Sequence, residues 1–289
     1  MAETLALLSA LCFGLTHFVS GVLSRSWNGV TVAGVAQVGG TALSVVIAVC
    51  VPAGQPALAP LLWGVLSGVG TGVGVAYLYR AMSRGPMSVV APVSDVAGLA
   101  LPVLVGVLLL GERPSAAAYA GSAVAVVAIW LVSRGQPADG VGAGPAGGGR
   151  RGRRMVAGVP DALVAGLGIA AHFVAVARIP PEAGMWPIVL SRGVSVVVIV
   201  ALAAALGAPL RLPRKATWAA LAAGGVGTVA TILYWVAVNQ GLLATTTVLA
   251  AMYPAIPVVL AIAFLRERLV RSQVLGLLGA GVAIALVSA

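Results

Sequence analysis

Apolar segments of about 20 residues follow one another along nearly the whole chain, and each has the length an α-helix needs to cross the hydrocarbon core of a bilayer. Short Gly, Pro or Arg punctuation divides them. A transmembrane β-barrel would show shorter segments of alternating polarity, and these are continuous. Only 8% of the 289 residues are charged, 60% are hydrophobic and the mean hydropathy is +1.08. A soluble domain carries roughly 25% charged residues to cover its water-facing surface. The chain is therefore expected to be an all-α integral membrane protein whose solvent, and first partner, is the lipid bilayer.

The punctuation predicts ten spans: about Glu3 to Leu23, Val30 to Val51, Pro60 to Met82, Met87 to Leu110 and Ser115 to Val132, then about Met155 to Ala177, Ala183 to Leu206, Ala216 to Gln240, Ala244 to Leu265 and Gln273 to Ser288. The N-terminus lacks a basic region and a small-residue cleavage pattern, so the first apolar run is expected to stay as span 1. Cys12 and Cys50 both fall inside spans and read as small packing residues, not a disulfide. In span 3, Gly64, Gly68 and Gly72 recur every fourth residue with Gly70 and Gly74 one ridge over, which lets another helix approach its backbone. That ridge can serve packing within the chain or between two copies, so a homodimer is one expectation. Pro92 and Pro102 in span 4, and Pro254 and Pro257 in span 9, are hinge candidates, because a proline frees a carbonyl that protein or a water-filled cavity must satisfy.

One long run contains no apolar segment. From 134 to 154 the sequence is rich in Gly and Pro and carries four clustered arginines, Arg150, Arg151, Arg153 and Arg154. It cannot bury enough apolar surface to offset the entropy of ordering, and it reads as a flexible linker between a unit at 1–133 and a unit at 155–289.

The two units are copies. His17-Phe18-Val19 returns as His172-Phe173-Val174, and at the same offset Trp63, Pro102, Leu110, Glu112, Arg113 and Gly121 return as Trp218, Pro257, Leu265, Glu267, Arg268 and Gly276. Ala81 and Gly85 return as Ala237 and Gly241, one residue further on. Five spans per copy is an odd number, so the second copy is expected upside down relative to the first. Inverted repeats about an axis in the membrane plane are a recurrent plan of secondary transporters, where exchanging the conformations of the halves exchanges inward-open for outward-open.

The net charge of +10 belongs with topology and not with nucleic acid, which is not an expected partner. With ten spans, one set of loops holds Arg25, Arg80, Arg84, the linker arginines, Arg211, Arg214, Lys215, Arg266, Arg268 and Arg271, while the opposite set holds Arg113 and Arg178. Basic residues gather in cytoplasmic loops, so the linker is expected inside and both termini outside a multi-pass protein of the plasma membrane.

Two copies of a five-span unit, each ending its fourth span in Gly-Glu-Arg (Gly111, Glu112, Arg113) or Arg-Glu-Arg (Arg266, Glu267, Arg268) ahead of a Gly-rich final span, resemble the EamA repeat of the drug/metabolite transporter superfamily. The stretch from Tyr77 through Ala81, Gly85, Pro92 and Pro102 to Glu112 is similar to the best-marked part of that unit. The resemblance covers the chain apart from the linker and implies a transporter of small polar or amphipathic solutes, amino-acid-like or drug-like, working by alternating access. Relatives export amino acids, other metabolites or drugs. Arg192 stands where the family often places an arginine, but its counterpart in span 2 is Gln37; span 1 lacks the membrane-embedded glutamate of the four-helix multidrug relatives, and His17 is its nearest ionisable group.

Ionisable groups inside a span are costly and so are functional candidates by default. Asp95 can bind a substrate amine or a coupling proton; it can also cap the helix after Pro92 or pair with an arginine. Arg192 can clamp a carboxylate or phosphate with its two-pronged guanidinium, or hold exposed carbonyls. Gln37 can add a neutral hydrogen bond. His17 and His172, related by the repeat, can relay protons or tie helices together. Tyr77 and Tyr234, late in spans 3 and 8, are the aromatic candidates for a cavity. Glu112-Arg113 and Glu267-Arg268 read as local salt bridges and caps. No cofactor and no metal site is expected, since no further ligands are spaced for one.

Other classes find less support. An intramembrane enzyme would need a nucleophile with its base, a carboxylate pair or a metal constellation, and no His-Glu-x-x-His or Gly-x-Ser-x-Gly occurs. An ATPase would need a Walker loop, also absent from the sequence. A channel or scaffold without coupled motion would not need inverted halves with broken spans.

Overall fold

A computed structural model describes residues 1–51, 57–110, 116–133, 156–240, 249–250, 252–267 and 269–287, with the side chains of 99–110 and of scattered positions in 118–133 and 284–287 outside that description. Ten α-helices are bounded among these residues: α1 (Ala2–Ser26), α2 (Gly29–Cys50), α3 (Leu58–Met82), α4 (Met87–Leu110), α5 (Ala116–Ser133), α6 (Val159–Ala177), α7 (Trp186–Ala205), α8 (Arg214–Gln240), α9 (Ala255–Leu265) and α10 (Arg271–Val287). Among the described residues α1, α2, α3, α6, α7 and α8 are long and apolar enough to cross a membrane. The linker 134–154, the Gly111-Glu112-Arg113 motif, Gly241 and Arg268 lie outside the described residues.

The distribution of side chains is that of a multi-pass membrane protein. Leu62, Val49, Val197 and Leu278 are exposed on the outside, while Ser9, Thr16, Gln37, Ser67, Thr71 and Arg192 are buried inside. Lipid contributes no hydrophobic drive between helices, so small residues and interhelical hydrogen bonds hold them together. Both glycine ridges of α3 are used within the chain. Gly64, Gly68 and Gly72 face Pro187, Ser191 and Ser195 of α7, and Gly70 and Gly74 face Gly168 of α6; a methyl group built on Gly68 would sit 2.5 Å from the Ser191 carbonyl oxygen.

The register of these contacts fixes helix directions. Ser9 and Thr16 of α1 donate to the carbonyls of Ala230 and Ala223 of α8 at 2.8 and 3.0 Å, so the two run antiparallel. Gly224 meets Ala36 and Thr228 donates to Gly40 O, so α8 runs parallel to α2. Gln37 pairs with Arg192 while Ala48 packs on Met185 and Ile188, so α2 opposes α7. The ladder from Gly64 to Gly72 along Pro187 to Ser195 makes α7 parallel to α3, and α3 opposes α6, since Gly70 meets His172 and Gly85 meets Ala157. Followed through, α1, α2 and α3 point opposite to α6, α7 and α8. The second copy is inverted, and the copies interlock: α3 packs on α6 and α7 just as α8 packs on α1 and α2, and α5 packs on α10.

Local chemistry sets the ends. Asn28 caps α2 by accepting from the amides of Val30 and Thr31 at 3.0 and 3.3 Å. Glu267, just past α9, accepts from the Met87 and Ser88 amides at 3.1 and 2.9 Å and pairs with Arg25, so it caps α4 from the other repeat. The sequence predicts local salt bridges and caps for this motif, whereas Glu267 reaches across to the other repeat.

One expectation about broken helices needs correction. α4 runs unbroken through Pro92 and Pro102, since a proline there removes one bond of the ladder without ending it. The described part of span 9 is interrupted: Leu249 and Ala250 are helical, a turn lies over Met252–Pro254, and α9 runs from Ala255 with Pro254 as its N-cap. The amides of Met252, Tyr253, Ala255 and Ile256 each reach a carbonyl three residues back, which is a tight 3₁₀-like winding.

Candidate functional site

The interlocked helices leave a small central cavity of about 40 Å³ among α1, α2, α3, α6, α7, α8 and the turn before α9. It has room for water but not for a metabolite.

Arg192 is the charged residue at this cavity, and only 4% of it is exposed. Its Nη1 donates to Gln37 Oε1 at 2.9 Å, and its Nη2 donates to Gly227 O at 2.8 Å and to Thr231 Oγ1. Ser195 Oγ donates to the same Gln37 oxygen at 3.1 Å. Gln37 and Arg192 are equivalent positions of the two copies, so their contact lies on the axis that relates them. The described ion pairs are Arg25 with Glu267 and Arg80 and Arg84 with Asp161; among the described residues no carboxylate pairs with Arg192. A buried cation held by neutral oxygens alone is under-compensated, and an anion entering the cavity would complete its shell.

Part of the cavity wall is aromatic. Phe13 packs edge-on to Phe173 at 5.5 Å between ring centroids, Phe173 edge-on to Tyr234 at 4.9 Å, and Tyr253 lies 6.0 Å from Phe13 and 5.3 Å from His17. The site thus combines one cation with flat apolar rings.

The two histidines reach the same cavity in different surroundings. His17 Nδ1 lies 3.3 Å from the Tyr79 hydroxyl. His172 Nδ1 lies 2.7 Å from Thr71 Oγ1 and 2.8 Å from Ser67 Oγ, and Ser67 Oγ in turn lies 2.8 Å from Ser191 Oγ. Thr71 donates its hydroxyl proton to Ser67 O at 2.8 Å. These hydroxyls and the ring nitrogen form one buried cluster that ties α3 to α6 and α7. No group of three or more metal-ligating side chains occurs among the described residues.

Of the residues singled out in the sequence, Arg192, Gln37, His17 and His172 line the cavity together. Tyr234 stands just behind them, 1% exposed and packed on Phe173. Asp95 is buried at 6% exposure on α4 but does not line the cavity, and among the described residues it has no ion-pair partner, so it does not pair with Arg192. Tyr77 is a correction: it is half-buried with the Arg80 guanidinium 5.6 Å over its ring, and Tyr79 occupies the cavity wall. The repeat carried that signal, since Tyr79 and Tyr234 are separated by the same offset as His17 and His172. Phe13, Thr71 and Tyr253 also escaped the sequence reading. Thr71 looks like any small residue of a packed span, and Tyr253 reads as an interfacial aromatic until the break beside it is seen. Asp161, which collects Arg80 at 3.6 Å and Arg84 at 3.0 Å, was missed as well.

No protein of curated function matches the chain. Among solved structures, one crystal structure of a protein aligns with 98% of this chain and 96% of its own at a TM-score of 0.57 and 19% identity, a likeness of fold alone. The model of the EamA-like transporter family matches residues 1–134 and again 157–289, so the same unit is found on both sides of the linker. With that match spanning nearly its whole length, the chain belongs to the EamA-like transporter family of the drug/metabolite transporter superfamily, and it is a multi-pass membrane transporter.

Proposed function

We propose that this protein exports a small metabolite carrying a carboxylate or similar anionic group, by alternating access about the cavity at Arg192. The observation that carries the reading is the buried guanidinium: it is oriented by Gln37, Gly227 and Thr231 and has no acidic partner among the described residues. The neighbouring aromatic wall suits an amphipathic body attached to that anion. The inverted, interlocked copies support the exchange of accessibility between two sides. In this reading the chain crosses the plasma membrane ten times, with the linker cytoplasmic and both termini outside, as the arginine asymmetry favours. Coupling falls to Asp95, a carboxyl group buried in the membrane-spanning part, where taking up or releasing a proton changes the cost of burial.

The test compares intracellular and extracellular metabolites in cells overproducing the wild type, Arg192→Ala or Asp95→Asn. One anionic solute class should accumulate outside with the wild type and not with Arg192→Ala, while Asp95→Asn should slow export without changing which solute moves. Identical profiles from three proteins that all reach the membrane would remove the Arg192 reading.

A further inference from the structure

We infer that the Tyr253 hydroxyl is a second polar contact of the transported solute and reads a hydrogen-bonding group on the solute's apolar body, an inference that rests on the Arg192 reading above. Among the described residues, two buried side-chain polar atoms have no hydrogen-bond partner, Ser20 Oγ and Tyr253 Oη. Ser20 does not line the cavity and Tyr253 does. Tyr253 is 2% exposed, so its hydroxyl is withdrawn from bulk water without being paired, which costs stability that a phenylalanine of the same shape would not. A group kept in that condition at a cavity wall is a group waiting for a partner.

The surroundings preset its direction. The ring is held by Phe13, His17 and Phe173, with centroids at 6.0, 5.3 and 6.2 Å. Its backbone belongs to the Met252–Pro254 turn ahead of α9, and irregular backbone in a membrane protein is tolerated where it is buried in protein or lines a cavity. A hydroxyl oriented in advance loses little entropy on binding. With a guanidinium and flat rings in one lining, the complementary solute is an organic anion with a planar apolar body that itself bears a hydroxyl or similar group. Such a contact works as a specificity filter, because a site built to hydrogen-bond a substrate group discriminates against the analogue lacking it.

The experiment uses the full-length protein in nanodiscs and two probes that differ by one oxygen, 3-phenylpropionate and 3-(4-hydroxyphenyl)propionate, titrated calorimetrically against wild type, Tyr253→Phe and Arg192→Gln. The wild type should prefer the hydroxylated probe about tenfold, as expected when one buried hydrogen bond is gained. Tyr253→Phe should bring the two probes to within about twofold of each other, and Arg192→Gln should weaken both. If the preference survives in Tyr253→Phe, or if the wild type shows none because water already satisfies the hydroxyl, while Arg192→Gln still weakens both, the Tyr253 inference falls and the Arg192 reading stands. If the wild type binds neither probe, or binding ignores position 192, both fall. Should Arg192→Gln not fold, Arg192→Lys replaces it, and the loss of two-pronged binding weakens both probes in the same way.

Discussion

Arg192 and Gln37 occupy equivalent positions of the two copies and touch each other, so the charge at the cavity sits on one side of a nearly symmetric pair. Exchanging them is therefore a test that single substitutions cannot give. In Gln37→Arg/Arg192→Gln the new guanidinium finds the Gly72 carbonyl in place of the Gly227 carbonyl, but at the position equivalent to Thr231 it meets Ala76 and forms one hydrogen bond fewer. A neutral interhelical hydrogen bond in a membrane protein is worth about 0.6 kcal/mol, whereas losing the partner of a buried charge costs about 3–5 kcal/mol. We therefore predict that Arg192→Gln alone loses on the order of a hundredfold or more in uptake rate into inside-out vesicles, and that the exchange recovers most of it. If the exchanged protein is as inactive as the single variant, the cavity is not symmetric in the sense argued. The same pair shows what the sequence could disclose: charges and their repeat mates are visible because they are rare in apolar spans. Hydroxyls and aromatics are not, which is why the sequence pointed to Tyr77 when the offset to Tyr234 selects Tyr79.

At the scale of the elements, hydropathy placed eight helix pairs of ends closely because a bilayer sets their length, and the glycine ridge of α3 announced a close approach. It could not announce that α7 and α6 would share that approach, since the partner of a ridge is a tertiary fact. The break before α9 was half legible. Pro254 marks it, yet Pro92 carries the same mark in α4 and leaves the helix whole. One helix end carries a measurable consequence. α9 closes on Arg266 at φ 54°, the only non-glycine residue with positive φ among the described residues, and the equivalent residue of the first copy is Gly111. A side chain in that left-handed conformation costs about 1 kcal/mol relative to glycine. Arg266→Gly should accordingly raise the thermal midpoint in detergent by a few degrees, whereas an unchanged or lower midpoint would mean that the Arg266 side chain contributes more than its backbone costs. Glu267→Gln should act the other way. It removes the charge from the α4 cap and from the Arg25 pair, at a cost of about 1 kcal/mol, and a midpoint equal to that of wild type would show the cap to be dispensable.

For the whole molecule, the described ion pairs all join one copy to the other and gather at one end. Arg25 lies in the last turn of α1 and meets Glu267 just past α9; Arg80 in the last turn of α3 and Arg84 just past it meet Asp161 in the first turn of α6. Acid at a helix start and base at a helix end also suit the helix dipoles. On the arginine asymmetry this is the linker side, and a transporter that opens there must part these pairs. Their strength sets what parting them can do. Arg84 has half its side chain exposed, so its pair with Asp161 is worth less than about 1 kcal/mol after solvent screening. In the alternating-access reading proposed above, a pair this weak biases the end it spans toward the joined arrangement and does not lock it. Reversing one charge should shift the open population several-fold and not completely. In a Cys12→Ala/Cys50→Ala background, Val75→Cys reports on the cavity wall. Adding Asp161→Arg should raise its labelling by a membrane-impermeant maleimide about fivefold in inside-out vesicles, and Arg84→Asp placed opposite the new arginine should return most of that gain. Equal rates in all three proteins would show that the pairs do not hold this end closed, and a rise seen only in right-side-out vesicles would place the linker on the outer face.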